Sequence, residues 1–339
     1  PRLGDRGIGA LVERFGSGAQ ALRARGRQLS FCDSGPGPPD IRAWEGEGIR
    51  VLPMTSERYP GLLRELSDPP PLIFFRGRSE LLSGPSVAIV GSRRATEAGR
   101  RTATTLAKTL SAAGITVVSG MALGIDGAAH RGALVGGGST VAVLGSGLRV
   151  VYPRAHRALF QELGSKGLVL SEFLPGEKAL PHHFPRRNRI IAALSQAVIV
   201  VEAGRKSGAL ITVDHGLDLG REVLAVPGSV QNPQAAGSNG LLREGARVVL
   251  DPEMILEDLR ALGLSVPNRG GSYAGSNQDP PGMPSELAGL WAALPGNPLG
   301  VEEIAKEAAM SFPEALAGLS ALEMGGWAEG CPGMRFRRK

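Results

Sequence analysis

Cationic side chains crowd around one aromatic ring in residues 182–191, which read HHFPRRNRII. An apolar run at residues 197–201 follows closely, and cations buried beside it would each require an anionic partner. Guanidinium groups beside a stacking ring suit a phosphate backbone with exposed bases, so the segment predicts a site for single-stranded nucleic acid. A solvated, basic helix start is the alternative interpretation. The candidate recognition residues are Phe184, Arg186, Arg187, Asn188 and Arg189.

Glycine and polar turns follow the predicted strands of the central region. Ligands of open α/β sheets bind beyond the carboxyl ends of the strands, so these turns should line one edge of the sheet. Glycine lets the backbone approach a phosphate, while hydroxyls, cations and helix N-termini donate hydrogen bonds to it. The turns carry neither a G-x-G-x-x-G fingerprint nor a Walker P-loop. Their candidate DNA-binding residues are Gly91, Ser92, Arg93, Arg94, Ser119, Gly120, Gly145, Ser146, Lys206, Ser207 and Gly208.

Short apolar runs alternate with longer helical patterns between residues 86 and 249. Runs of this kind are typical of strands buried on both faces of a parallel sheet. The alternation predicts an α/β fold with an extended Rossmann-like, doubly wound and mostly parallel sheet. The predicted strands cover residues 87–90, 116–118, 140–144, 168–170, 197–201 and 222–226. The predicted helices cover residues 97–113, 125–135, 155–163, 185–194 and 209–219.

Two segments precede this alternating region. Glycine turns among short helical patterns predict a small helical domain over residues 1–50, either of a SAM-like or helix-hairpin-helix type or a purely structural bundle. The predicted Rossmann-like domain then covers residues 51–265. Its proline-punctuated beginning, residues 51–85, predicts an extended arm that ends in a strand.

Two further segments follow it. Residues 266–283 are rich in Gly, Pro, Ser and Asn and predict a flexible linker. Residues 284–339 contain three helical patterns and a glycine-led hairpin, which predict a winged helix. The last of these helices carries only Glu314 and Glu323 as charged residues, which favours contact with a protein over readout of duplex DNA.

Composition narrows the functional classes. The 339 residues carry 38 Lys and Arg against 32 Asp and Glu, a net charge of +6 that favours polyanionic partners. Aromatic residues make up only 4%, so phosphate contacts should dominate any nucleic-acid affinity. No apolar run approaches bilayer length, no signal-peptide h-region is evident, and Cys32 and Cys331 have no metal-ligand spacing. These features predict a reduced, cytoplasmic protein without a membrane segment.

Two pairs of side chains allow both a chemical and a structural interpretation. Asp126 and His130 lie one helical turn apart, but no third metal ligand is evident, which favours a helix-capping Asp and a hydrogen-bonded His. Glu172 and Glu202 follow two predicted strands and are either a general acid–base pair or anions that hold neighbouring arginines. We therefore expect no metal, no cofactor and no catalytic residue.

Short blocks of specific residues run in order through the α/β region. They are residues 91–93 (GSR), 119–126 (SGMALGID), 129–130 (AH), 143–147 (VLGSG), 152–153 (YP), 170–172 (LSE), 184–191 (FPRRNRII), 201–203 (VEA), 206–212 (KSGALIT), 221–223 (REV), 226–228 (VPG), 237–239 (GSN) and 244–246 (EGA). In this order and density they resemble the DNA-processing protein A family (DprA, also called Smf). Gly216 and Ser238 depart from the alanine and threonine that are usual in that family.

The resemblance implies a non-enzymatic protein that binds single-stranded DNA. It implies that this protein protects incoming strands during natural transformation and loads a RecA-type recombinase onto them, with a single-strand-binding protein as a further candidate partner. Carried over to this chain, the family's basic pocket, with Phe184 as its stacking ring, corresponds to Arg93, Arg187, Arg189 and Lys206.

The resemblance also implies a homodimer, whose surface falls around Asn239, Leu242 and Val248. This segment mixes apolar residues with both signs of charge, which suits pairing across a two-fold axis. Alternatively, the segment is only the last helix and strand of the sheet.

Two rival functions come from other classes. A nucleotide-processing enzyme of the phosphoribohydrolase type would carry a Pro-Gly-Gly-x-Gly-Thr turn leading to a catalytic glutamate, whereas residues 202–208 here read EAGRKSG. A transcription factor acting on duplex DNA would use the winged helix, whose last helix lacks basic residues. We therefore favour a single-stranded DNA-binding protein.

Overall fold

The computed structural model describes residues 41–252, 254–264, 266, 283–294 and 299–338. The chain divides into two compact units, Pro1–Pro267 and Asn268–Lys339. Most of the predicted helical domain over residues 1–50 and of the predicted linker over residues 266–283 lies outside the described residues.

A nine-stranded sheet forms the centre of the first unit as far as it is described. Its strands follow the order β1-β2-β6-β5-β4-β3-β7-β8-β9; the pairs β1–β2 and β2–β6 are antiparallel, and all other neighbours are parallel. The strands are β1 (Arg50–Pro53), β2 (Leu72–Gly77), β3 (Ser86–Val90), β4 (Thr116–Ser119), β5 (Thr140–Val143), β6 (Leu168–Ser171), β7 (Ala197–Val200), β8 (Glu222–Ala225) and β9 (Arg247–Val248).

Helices cover both faces of this sheet. They are α1 (Ile41–Gly46), α2 (Gly61–Arg64), α3 (Glu97–Ala112), α4 (Ile125–Val135), α5 (Arg157–Lys166), α6 (His183–Ala193), α7 (Ala209–Asp218), α8 (Ala236–Arg243) and α9 (Ile255–Ala261).

Alternation along the strands divides the core into two layers. In β4, Val117 packs with Leu106 and Ile125 of α3 and α4 on one face. The adjacent Val118 packs with Ile190 of α6 and further apolar residues on the other face. Because successive side chains of a strand point to opposite faces, a short, wholly apolar strand is stable only between two helical layers.

The predicted elements of the α/β core are confirmed. All six predicted strands and all five predicted helices are present, with ends that differ by three residues at most. The predicted arm contains β1 and β2, which extend the central sheet by antiparallel pairing instead of standing apart from it. The short edge strand β9, two residues long, lies in the segment whose alternative interpretation was the last helix and strand of the sheet.

The strand order reverses at β3. From β3 the chain proceeds through β4 and β5 to β6 on one side, and then returns to place β7 on the other side. Such a switch point opens a crevice beyond the carboxyl ends of the two central strands, here β3 and β7.

The second unit is a winged helix built on a three-stranded sheet in the order β10-β12-β11. Its core joins Leu290, Ile304, Leu319, Leu322 and Phe336. In a capping box, Ser311 N donates to Glu314 Oε2 at 3.0 Å, which stabilises the start of the last helix. The elements are α10 (Ala288–Ala293), β10 (Leu299–Gly300), α11 (Val301–Glu307), α12 (Phe312–Met324), β11 (Ala328–Cys331) and β12 (Arg335–Arg338).

No helix within the described ranges of either unit combines the length and the apolar character that crossing a bilayer requires.

Candidate nucleic-acid interface

A cavity of about 430 Å³, called here the central cavity, opens at the switch point beside the carboxyl end of β3. The turns after β3 and β4 and the first turns of α6 and α7 contribute to its wall. Segments far apart in the sequence therefore converge here. The predicted site residues that line it are Gly91, Arg93, Phe184, Arg187, Asn188, Ser207 and Gly208.

A second, smaller cavity of about 50 Å³ shares part of this wall. Arg93, Ala122, Tyr152 and Phe184 line both cavities. Of the remaining predicted residues, the smaller cavity is lined by Gly120, Gly145 and Ser146.

Arg187 is the buried cation of the central cavity, with only 3% of its surface exposed. Its Nη1 donates to the carbonyl oxygens of Val143 and of Gly120, the latter at 2.6 Å, and its Nε donates to Asn188 Oδ1 at 3.2 Å. Burial lowers the pKa of Arg187 to about 10, although nearby Asp126 opposes that effect, so the group is charged at neutral pH. A guanidinium held between two strand ends is a preorganised anion-binding group.

Asp126 places a buried carboxyl group in the same wall, which the sequence did not suggest. Burial raises the pKa of this carboxyl group, and the Arg187 charge opposes the rise. The predicted capping role is wrong in detail, because the N-cap of α4 is Gly124, and Asp126 Oδ2 accepts from Ala122 N at 3.3 Å. The predicted hydrogen-bonded histidine is confirmed by the contact of His130 Nδ1 with Thr140 Oγ1 at 2.7 Å.

Two aromatic rings stand together at the cavity mouth. The Phe184 and Tyr152 ring centroids are 5.4 Å apart, and the rings are tilted by 46°. The Arg93 guanidinium lies over the Phe184 ring, with Cζ 4.9 Å from the centroid. Phe184 is half-buried and Tyr152 is exposed, so aromatic surface is available to a base. Tyr152 was not predicted as a site residue, although the pair Tyr152-Pro153 is one of the sequence blocks that resemble the family.

Glycine at position 145 makes room for the Phe184 ring. A Cβ atom there would lie 2.8 Å from Phe184 Cδ1, closer than carbon atoms can approach. The neighbouring His183 is held by the same residue, since its Nδ1 lies 3.3 Å from the Gly145 carbonyl oxygen. The turn after β5 therefore fixes the start of α6 and the position of the ring.

Two helices begin at the central cavity. Neither α6 nor α7 has a side-chain hydrogen bond at its N-cap, and the Phe184, Pro185, Gly208 and Ala209 positions of their first turns line the cavity. The Asn188 side chain joins them, because its Nδ2 donates to the Gly208 carbonyl oxygen at 3.1 Å. Few N–H groups are free at these two starts: His183 N donates to Leu180 O at 3.0 Å, Pro185 has no N–H, and Ala209 N donates to Ser207 Oγ at 3.3 Å. What both helix starts offer an anion is therefore the partial positive charge of the helix dipole.

Arg186 and Arg189 do not line the central cavity. Glu172 Oε2, buried at the end of β6, accepts from Arg186 Nη2 at 2.9 Å and from Arg189 Nη2 at 2.7 Å. The interpretation of Glu172 as an anion that holds arginines is thus correct. The arginine cluster is divided between two sides of α6, and only Arg187 joins Arg93 at the cavity.

Most of the predicted hydroxyl donors are engaged within the protein. Ser119 Oγ donates to Ile89 O at 2.6 Å, Ser146 Oγ to Val150 O at 2.8 Å, and Ser92 Oγ to Gln234 Oε1 at 2.5 Å. Ser207 is the half-buried serine of the central cavity wall. Arg94 and Lys206 are exposed and line neither cavity.

Glu172 and Glu202 have different partners and line neither cavity. The Glu202 carboxylate accepts from Thr96 N at 2.8 Å and from Thr96 Oγ1 at 2.6 Å, which ties the start of α3 to the end of β7. Within the described ranges, no three His, Cys, Asp or Glu side chains are grouped to hold a metal ion.

The segment predicted to form a dimer surface lies at the β9 edge of the sheet. Asn239 forms two hydrogen bonds with the loop after β8: its Oδ1 accepts from Gly228 N at 3.0 Å, and its Nδ2 donates to Gly228 O at 2.9 Å. Leu242 is half-buried against the core, whereas Val248 is 44% exposed and Leu250 is 79% exposed.

Known families and proteins match this chain over most of its length. The family described as DNA recombination-mediator protein A matches residues 50–260, and the DprA winged helix domain matches residues 274–334. Protein Smf of Escherichia coli (strain K12) is 39% identical over 295 residues, which cover 85% of this chain and 78% of that protein.

Two solved structures share the fold. DNA processing protein A from Streptococcus pneumoniae superimposes with a TM-score of 0.61 at 34% identity, covering 77% of this chain and 98% of that chain. DNA processing protein A from Helicobacter pylori, reported for its single-stranded DNA binding mode, gives a TM-score of 0.58 at 30% identity, covering 63% and 96% of the two chains. The chain therefore belongs to the DNA recombination-mediator protein A family, also known as DprA or Smf.

Proposed function

We propose that this protein binds single-stranded DNA in the central cavity without catalysis and delivers the strand to a RecA-type recombinase in the cytoplasm. In natural transformation this activity would protect incoming strands until recombination. The observation that carries the proposal is the joint presence of Arg93, Arg187 and Phe184 in one cavity at the uncapped start of α6.

Cavity size and ring exposure support a single strand as the ligand. A cavity of about 430 Å³ has the size of a small-ligand pocket, which suits a nucleotide and excludes a duplex. A base can stack on Phe184 or Tyr152 only when its own stacking and pairing partners are gone. The single-stranded DNA binding mode reported for the Helicobacter pylori relative agrees with this interpretation.

Charge supports phosphate as the main contact. Arg93 is exposed at the cavity, Arg187 supplies a fixed buried charge, and the N-termini of α6 and α7 add the partial positive charge of their helix dipoles. None of these groups reads a base edge, so binding should be nearly independent of sequence.

A homodimer would place two central cavities on one strand. Exposed apolar residues at the β9 edge support the surface, namely Leu217 at 59%, Val248 at 44% and Leu250 at 79%. β9 is an edge strand of the sheet, so the backbone N–H and C=O groups on its outer side have no partner strand among the described residues. Delivery to a recombinase is supported by the family description as a recombination mediator.

Gel-shift titrations on single- and double-stranded oligonucleotides of equal length test the proposal, with Arg93→Gln as the site variant and nucleotide hydrolysis measured in parallel. We expect preference for the single strand, weaker binding by the variant, faster assembly of recombinase on the strand and no hydrolysis. Equal binding of duplex would instead support the alternative of a protein that acts on duplex DNA, and hydrolysis that Arg93→Gln abolishes would support the nucleotide-processing alternative.

A further inference from the structure

A stretch of 35 residues, 127–161, contains no acidic side chain, although the chain carries 32 Asp and Glu. Its arginines are Arg131, Arg149, Arg154 and Arg157. Arg149 is paired with Glu47, to which its Nε donates at 2.8 Å. The other three are exposed and form no ion pair with any residue that the structure describes. These three residues are called here the exit patch.

The exit patch is compact. Arg154 begins a single 3-10 turn that ends at His156, and Arg157 follows as the first residue of α5. The Arg131 guanidinium and the His156 ring both lie against Gly127 of α4, where an added Cβ would be 3.2 Å from Arg131 Nη2 and 2.5 Å from His156 Cε1. Arg131 therefore lies beside the buried His156 ring, and Arg154 and Arg157 lie within two residues of His156 in the chain.

The position of these cations is unfavourable for the protein by itself. The first turn of α5 has no acidic residue and no side-chain cap, and it carries Arg157 instead. Positive charges near a helix N-terminus oppose the helix dipole, and neighbouring cations repel each other. A bound anion would relieve both effects.

The exit patch is continuous with the central cavity. Tyr152 and Pro153 directly precede Arg154, and both line the smaller cavity together with Phe184. A strand that stacks a base between or beside these rings would therefore reach Arg154 within a few nucleotides. The patch has no aromatic side chain, which suits contact with phosphates and not with bases.

We propose that single-stranded DNA leaving the central cavity passes over Tyr152 and that the exit patch binds its phosphates outside the cavity. The proposal rests on the proposed function, since it extends the path of the same strand. It assigns to Arg131, Arg154 and Arg157 the affinity that a strand gains when it extends beyond the cavity of one protomer, before it is long enough to reach a second cavity.

The test compares an oligothymidylate of about 2 nucleotides, which the cavity can hold, with one of about 10, which also reaches the patch on the same protomer. The patch variant is Arg131→Gln/Arg154→Gln/Arg157→Gln. Its control, Arg58→Gln/Arg101→Gln/Arg260→Gln, removes the same charge from exposed arginines that line neither cavity. Thermal melting checks that each variant is folded.

For the wild type and the control we expect the long strand to bind more tightly and with the steeper salt dependence. In the patch variant the gain from length should largely disappear, and the slope of log affinity against log salt for the long strand should fall by about 2, or about 0.7 per lost phosphate contact. A patch variant that keeps both the full increase in affinity from the short to the long strand and the full salt slope overturns the proposal. A patch variant whose only defect is weaker stimulation of the recombinase also overturns it, because the patch would then contact a protein. If Arg93→Gln leaves even the short strand unaffected, the proposed function itself fails.

Discussion

The Arg93 guanidinium lies over the Phe184 ring, with its Cζ 4.9 Å from the ring centroid. A cation in this position is attracted by the ring face and is held beside it. In the proposed function, the turn after β3 and the start of α6 would supply a phosphate contact and a stacking surface from this one pair of side chains. The contact also means that changes to either residue will disturb the other.

Arg93 and Arg186 should differ sharply in their contribution to DNA binding. Arg93 lines the central cavity, whereas Arg186 forms a hydrogen-bonded ion pair with Glu172. Arg93→Gln should therefore reduce the salt slope of single-strand binding by about 0.7, the value for one phosphate contact, while Arg186→Gln should leave it nearly unchanged. The two variants have equal net charge, so titrations at several salt concentrations compare them directly. Equal slopes for both would contradict the division of the arginine cluster.

Gly145→Ala should weaken single-strand binding without removing any charge. The added Cβ would meet Phe184 Cδ1 at 2.8 Å, so the ring must move away from its position beside Tyr152. We expect a loss of about 1–3 kcal/mol in binding free energy, the usual contribution of one base stack, with an unchanged salt slope. Gly176→Ala is the matched control, since no atom lies within 4 Å of its added Cβ. Wild-type affinity in a Gly145→Ala variant would rule out Phe184 as a stacking ring.

Val248→Arg should produce a folded monomer. Leu242 is less suitable for this test because it packs against the core, whereas Val248 is 44% exposed on the edge strand β9. Loss of the dimer would abolish bivalent binding, and affinity for strands long enough to span both cavities of the dimer should fall by about 100-fold. Sedimentation measures the mass, and Val135→Arg, at a position that is 73% exposed at the end of α4, provides the control. A Val248→Arg dimer of unchanged mass would disprove the assigned surface.

His130 should make the protein less stable in acid. Burial lowers the pKa of His130 from 6.5 in the unfolded chain to about 3 in the fold. Between pH 6.5 and about 3, the unfolded state binds a proton that the folded state does not. The free energy of unfolding should therefore fall by up to about 1.4 kcal/mol for each pH unit of acidification. Urea unfolding at a series of pH values measures this slope. In His130→Gln the slope should be smaller by one proton, and an unchanged slope would show that another group is responsible.

The sequence alone was sufficient for the order of elements and for the edge of the sheet at which the central cavity opens. Wholly apolar runs such as those of β4 and β7 are stable only in a sheet covered on both faces, and the parallel strands bring their following turns to one edge. Gly91 and Gly208, predicted from the turns after β3 and β7, do meet in the central cavity.

Only the tertiary structure decided which cations line the central cavity. Successive residues of α6 are rotated by about 100°, so Arg186 and Arg189, three positions apart, share one side of the helix and Arg187 points elsewhere. Whether each guanidinium meets a carboxylate or a cavity depends on residues distant in the chain, Glu172 for the first pair and Gly120 for Arg187. Such partners are set by how the strands and helices pack together, because a charge buried on folding must find its counterpart across the fold and not along the sequence.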